Sequence, residues 1–156
     1  MKQIPQVIES ENTLKILNFS NFSTFKNSVN TLTETSIDLN YIHRLVISGS
    51  TIDNFNFLKH FPSLKQLGFL ACKSDIWSDL EGNTNIISLR LHNLKQGKQY
   101  LSSINFTRTF PNLQYLYVNM LGIDDFSELQ SLKCLHTIFA QCRNENNVKK
   151  KSIFLH

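Results

Sequence analysis

One apolar phrase recurs through this chain at a fixed interval. From Ile42 the sequence runs IHRLVISGSTIDNFNFLKHFPS, then LKQLGFLACKSDIWSDLEGNTN, and a third unit opens IISLRL, so Ile42, Leu64 and Ile86 stand 22 residues apart. A later unit, LQYLYVNMLGIDDFSELQSLKC, covers 22 residues from Leu113 to Cys134. A phrase that returns at such a period marks one structural unit used several times. Inside each unit the L-x-x-L-x-L core alternates apolar and other residues with period two, the pattern of a strand. A lone strand of this kind cannot bury its apolar face. Stacking the copies side by side in parallel does so.

Registered on the first apolar position, the units start near Leu14, Ile42, Leu64, Ile86, Leu113 and Leu135, at intervals of 28, 22, 22, 27 and 22 residues. The strand phrases are LKILNF, IHRLVI, LKQLGF, IISLRL, LQYLYV and LHTIFA, with a seventh, incomplete one at Ser152 to Leu155. The interior is expected to be lined by Leu45, Ile47, Leu67, Phe69, Leu89, Leu91, Leu116 and Val118. The rest of each unit returns over the far side. Its apolar residues, Ile52, Phe55 and Leu58 and later Ile123, Phe126 and Leu129, are three apart, which suits a 3-10 or short α turn. The phrases KHFPSLKQL (59–67) and RTFPNLQYL (108–116) nearly repeat; their prolines end the return segment, and Phe61 and Phe110 are expected to plug the turn. The 27-residue unit holds an insertion at 95–110 with room for an α-helical turn, and Phe25, Val29 and Leu32 in the first interval also read as a helix. The expected organisation is one domain: a cap at 1–13, repeats at 14–143, and a second cap at 144–156 that begins with the polar linker NENNVKKK.

These residues resemble the leucine-rich repeat family, in its short 22-residue class, over about residues 12–143; the unit at 113–134 is the best match. The resemblance implies an α/β fold: a right-handed solenoid with a concave parallel sheet of about six strands and short helical or 3-10 segments on the convex side. It also implies a protein ligand and no enzyme chemistry. The family places Asn at the ninth position of its unit. Here that position is read as Phe22, Ser50, Cys72, Leu94, Leu121 and Arg143, so the Asn ladder is broken.

Composition narrows the class. At 156 residues, 41% hydrophobic and 18% charged, the chain is expected to be globular, and twelve Phe point to bulky packing between units. No run approaches the ~18 apolar residues of a membrane span. The opening MKQIPQVIESENTLK has no apolar core of a secretory signal, and three Cys, an odd number, do not make a disulfide framework; both fit a cytoplasmic protein. The net charge of +4 is scattered and gives little reason to invoke nucleic acid.

Side chains that alternate with the interior positions should stand on the open face of the sheet. These are Ile16, Asn18 and Ser20; Arg44, Val46 and Ser48; Gln66, Gly68 and Leu70; Ser88, Arg90 and His92; Tyr115, Tyr117 and Asn119; and Thr137, Phe139 and Gln141. Arg90, Tyr117 and Phe139 then form one row, with Arg44, His92 and Tyr115 close by. Tyr and Arg are the types enriched at binding hot spots, so these six are the candidate partner-binding residues.

Other constellations carry less. Cys72 with His92 could pair nucleophile and base, but Cys72 is expected inside and His92 outside. Cys134, His136 and Cys142 lack a fourth ligand and any common zinc spacing. Asp124-Asp125 reads as a turn cap and Trp77 as packing. No phosphate-binding glycine loop is present, and no catalytic residue, metal or cofactor is expected. The expected role is an interaction module, monomeric alone. It would act as an immunity-type inhibitor that occludes a toxin, or as an adaptor or regulatory scaffold. A nucleic-acid binder and a self-associating structural protein are the remaining alternatives.

Overall fold

The strand phrases pair in the order in which they occur. The computed structural model describes residues 6–10, 12–19, 38–80, 85–123, 125–144 and 147–154. In chain order the strands are β1 (Gln6–Ser10), β2 (Thr13–Leu17), β3 (Arg44–Ser48), β4 (Gln66–Leu70), β5 (Ser88–His92), β6 (Lys95–Gln96), β7 (Gln99–Tyr100), β8 (Tyr115–Asn119), β9 (Thr137–Asn144) and β10 (Asn147–Phe154). All but β6 and β7 join one eight-stranded sheet in sequence order. The six strands β2, β3, β4, β5, β8 and β9 run parallel, and β1 and β10 close the two edges as antiparallel hairpin partners. The fold is α/β with little helix: among the described residues there are four 3-10 turns and one α-helical turn, Phe106–Thr109.

Register explains the core. Leu14, Leu45, Leu67, Leu89, Leu116 and Ile138 stand directly across from one another, and Ile16, Ile47, Phe69, Leu91, Val118 and Ala140 do the same two residues on. All twelve are buried. Behind them the return segments bury Ile52, Phe55, Leu58, Ile123 and Leu129, while Phe126 of the same pattern is half-buried against the core, and the 3-10 turns lie at Asn56–His60 and Ser127–Ser131. Phe61 and Phe110 are buried before their prolines, and each carbonyl accepts from the N–H that opens the next strand phrase, Leu64 N and Leu113 N. Trp77 packs on Phe55 and Phe69, with ring centres 5.5 and 5.4 Å away.

The first unit departs from the expected register. The repeat pattern sets Leu14 level with Ile42, yet it pairs with Leu45. The phrase LKILNF supports two readings. Leu14, Leu17 and Phe19 satisfy L-x-x-L-x-L, while Leu14, Ile16 and Phe19 satisfy the second half of the unit. The second reading prevails because it buries Leu14, Ile16 and Phe19 together. The readings differ by three residues, an odd shift, so every side chain changes face. Ile16 therefore enters the core rather than the open face, and Thr13, Lys15 and Leu17 take the outward positions. The ninth position of this unit is Phe19, whose N–H donates to Ser50 Oγ at 3.0 Å. Asn18 is the turn residue after the strand, and Ser20, Phe22, Phe25, Val29 and Leu32 lie outside the described residues.

Two further corrections concern the far end and the insertion. The sequence makes 144–151 a polar linker and 152–155 an incomplete seventh repeat strand, whereas residues 147–154 form β10, antiparallel to β9. Pairing with β9 supplies the strand geometry that the composition of this segment does not signal. The insertion begins with the β6–β7 hairpin, which turns at Gly97 with φ +59. It returns the chain so that Leu101 donates to the Leu94 carbonyl and accepts from Gly122 N. The expected α-helical turn follows, capped by Asn105, whose side chain accepts from Arg108 N at 2.9 Å.

The residue after each of β2, β3, β4, β5 and β8 is left-handed: Asn18, Gly49, Ala71, Asn93 and Met120 have φ between 52 and 62. Each of these N–H groups donates to a carbonyl of the neighbouring strand, at Ser48, Leu70, His92, Asn119 and Gln141. The turn column thus extends the ladder by one bond per unit. Asn and Gly adopt this conformation readily; Ala71 and Met120 do so at a cost.

Candidate functional site

Alternation leaves three rows of side chains on the open face. The middle row is Lys15, Val46, Gly68, Arg90, Tyr117 and Phe139, one from each parallel strand. Sheet geometry brings the last three together as expected. Adjacent strands lie ~4.8 Å apart, close to the separation at which flat groups stack. Tyr117 and Phe139 stack with ring centres 4.8 Å apart and planes 6° from parallel. The Arg90 guanidinium lies over the other side of the Tyr117 ring, 4.8 Å from its centre. The result is a column of guanidinium, phenol and phenyl across β5, β8 and β9.

Both neighbouring rows extend the face. Arg44, Gln66, Ser88, Tyr115 and Thr137 form one, so Arg44 and Tyr115 share a row but stand three strands apart. Ser48, Leu70, His92, Asn119 and Gln141 form the other, so His92 neighbours Asn119 rather than Arg44. Asn119 Nδ2 donates to the Tyr117 hydroxyl at 3.0 Å, which ties this row to the column. His92 Nδ1 and Asn119 Oδ1 are buried without a hydrogen-bond partner.

These residues border a hollow of about 520 Å³. Arg44, Arg90, Tyr115, Tyr117 and Phe139 all line it; His92 does not. Its cations are Lys15, Arg44 and Arg90, and among the described lining residues there is no carboxylate. Tyr115 is 47% and Phe139 40% exposed, although both are large apolar groups. Two features escaped the sequence reading. Lys15 joins the face because of the register shift. Tyr41, 67% exposed in the 3-10 turn Leu39–Tyr41, lies outside the strand pattern and gave no signal.

The remaining candidates resolve into structure. Cys72 is fully buried at the ninth position, with its Sγ 3.3 Å from the Ile47 carbonyl, and burial pushes its thiol up to about 11. Cys134 is half-buried, Cys142 lies outside the residues whose side chains are described, and among the described residues no three His, Cys, Asp or Glu are grouped to hold a metal. Asp125 caps its turn by accepting from Ser127 N and Ser127 Oγ, bonds that hold its carboxyl below the usual range. Asp124 lies outside the described residues. Trp77 Nε1 donates to the Lys95 carbonyl at 2.9 Å. Among the described residues no helix is long and apolar enough to cross a membrane. No protein-family model matches the chain, and no curated protein matches its sequence.

Proposed function

We propose that this chain is a leucine-rich repeat protein, a right-handed solenoid, and that it binds another protein through the open face of its sheet. The observation that carries the reading is the Arg90–Tyr117–Phe139 column standing in a hollow. A side chain as large as Phe139 gains nothing from facing water, and Tyr115 beside it shares that exposure. Aromatic and Arg side chains at the centre of a concave patch are the usual anchors of a protein contact. Six parallel strands span ~25 Å, a width that suits one partner of modest size and a footprint of ~800 Å² per side. Within this class the reading favoured is occlusion of a toxin by an immunity-type inhibitor; an adaptor or regulatory role is the second.

The test is a binding comparison. Wild type and the R90A/Y117A/F139A triple variant are immobilised and challenged with cytoplasmic extract of the source cells, and each retained protein is then titrated in purified form. The reading requires a partner whose affinity falls at least thirtyfold, about 2 kcal/mol, in the variant. A partner bound equally by both places the contact elsewhere, with the insertion at 95–110 and its Tyr100 and Arg108 next to be tested.

A further inference from the structure

We infer that the open face takes an acidic polypeptide segment, its carboxylates meeting Arg44 and Arg90 and an apolar side chain lodging against the aromatic column. This rests on the reading that the open face is the binding site and names the chemistry of its occupant.

Charge comes first. The hollow presents Lys15, Arg44 and Arg90 and, among its described lining residues, no Asp or Glu to answer them. Two strands separate Arg44 from Tyr115, and those positions hold Gln66 and Ser88, which donate and accept without adding charge. A partner carrying negative charge is steered to such a surface and keeps its charges paired on arrival.

The column decides between an acidic polypeptide and a nucleic acid, the other polyanion. Single-stranded nucleic acids bind by laying bases on free aromatic faces. Tyr117 has no free face: Arg90 covers one side and Phe139 the other. What Tyr117 turns toward a ligand is its edge. A ring edge carries partial positive charge, so it favours a carboxylate over a stacked base.

Gly68 forms part of the floor of the hollow, buried between its neighbours. It occupies the middle row beside Arg90, on the side away from Tyr117. A Cβ there would meet Val46 Cγ2 at 3.7 Å and Arg90 Cβ at 3.8 Å, ordinary contacts, and its φ is not left-handed. Packing and backbone geometry therefore do not demand glycine. Its absent side chain lowers the floor of the hollow beside the guanidinium that stacks on Tyr117, and charge-assisted bonds to a pre-positioned Arg are among the stronger polar contacts.

The experiment is selection of random peptides of roughly twelve residues on the immobilised protein, with R90A/Y117A/F139A as the parallel target. Enriched peptides are resynthesised and titrated against wild type, R44Q/R90Q and the triple variant, at low and physiological salt, beside an oligothymidylate of equal length. The inference requires that the enriched peptides carry net negative charge and at least one large apolar residue. Their affinity should fall about tenfold or more in R44Q/R90Q, with unchanged thermal unfolding, and they should bind better than the oligonucleotide. Peptides that are neutral or basic, yet lost on the triple variant, overturn the acidic occupant while the open-face reading stands. Enrichment that survives the triple variant, or none above it, overturns both. Tighter binding of the oligonucleotide, lost in R44Q/R90Q, replaces the acidic polypeptide with a nucleic acid.

Discussion

Tyr117 and Phe139 lie on neighbouring strands with their rings 4.8 Å apart and 6° from parallel. The separation is close to the spacing of the strands themselves, so the stack follows from placing two aromatic residues at the same position of consecutive units. The pair needs no core to hold it. Tyr117→Ala is therefore expected to weaken partner binding by about 2 kcal/mol or more, while thermal unfolding gives a stability within about 1 kcal/mol of wild type. A large loss of stability would mean that the column supports the fold.

Leu89 belongs to the opposite face. It is 1% exposed, between Leu67 and Leu116 in a central strand. Leu89→Ala leaves a cavity that the flanking strands cannot close, and should cost about 2–5 kcal/mol in urea unfolding. A cost below 1 kcal/mol would contradict the interior column.

The turn column makes paired predictions of opposite sign. Gly49 has φ +62, and a Cβ there would fall 2.6 Å from Asn18 Oδ1. Gly49→Ala should destabilise by about 1–2 kcal/mol. Ala71 occupies the equivalent place with φ 52 and is already strained. Ala71→Gly should stabilise by about 0.5 kcal/mol, the relief of strain exceeding the entropy of the more flexible unfolded chain. Thermal unfolding of both variants checks the pair.

Cys72 gives the fold a pH dependence at the alkaline end. Burial raises the thiol from 9.0 to about 11. The unfolded chain therefore loses its proton first as pH rises, so the stabilising contribution is complete below pH 9 and is lost between about 9 and 11. The loss attributable to this group is about 2–3 kcal/mol. Unfolding free energies of wild type and Cys72→Ala, measured on both sides of that window, should converge as pH rises. A thiol reagent should label Cys72 only at the rate at which the fold opens.

How much of this was legible can be argued from particular strands. Leu45, Leu67, Leu89 and Leu116 were readable because period two within a strand and 22 between strands both constrain them. Arg90, Tyr117 and Phe139 followed, since naming the inward residues names the outward ones. Leu14 shows where this fails. An apolar-rich phrase with Leu14, Ile16, Leu17 and Phe19 satisfies two registers, and tertiary burial, which the phrase does not contain, selects between them. Lys15 was missed for that reason. The antiparallel β10 was missed because NENNVKKK has the composition of a loop, while its strand geometry comes from pairing with β9. The stacking of Arg90 on Tyr117 depends on rotamers, which periodicity does not encode.

The central claim is that the open face is where this protein meets its partner, and site-specific photo-crosslinking tests it most directly. A photoreactive amino acid is placed in living cells at Ser88, beside Tyr115 and lining the hollow, or at Arg108, exposed on the insertion. The account predicts a discrete protein adduct from Ser88 and none of that mass from Arg108. An adduct from Arg108 with none from Ser88 would contradict it.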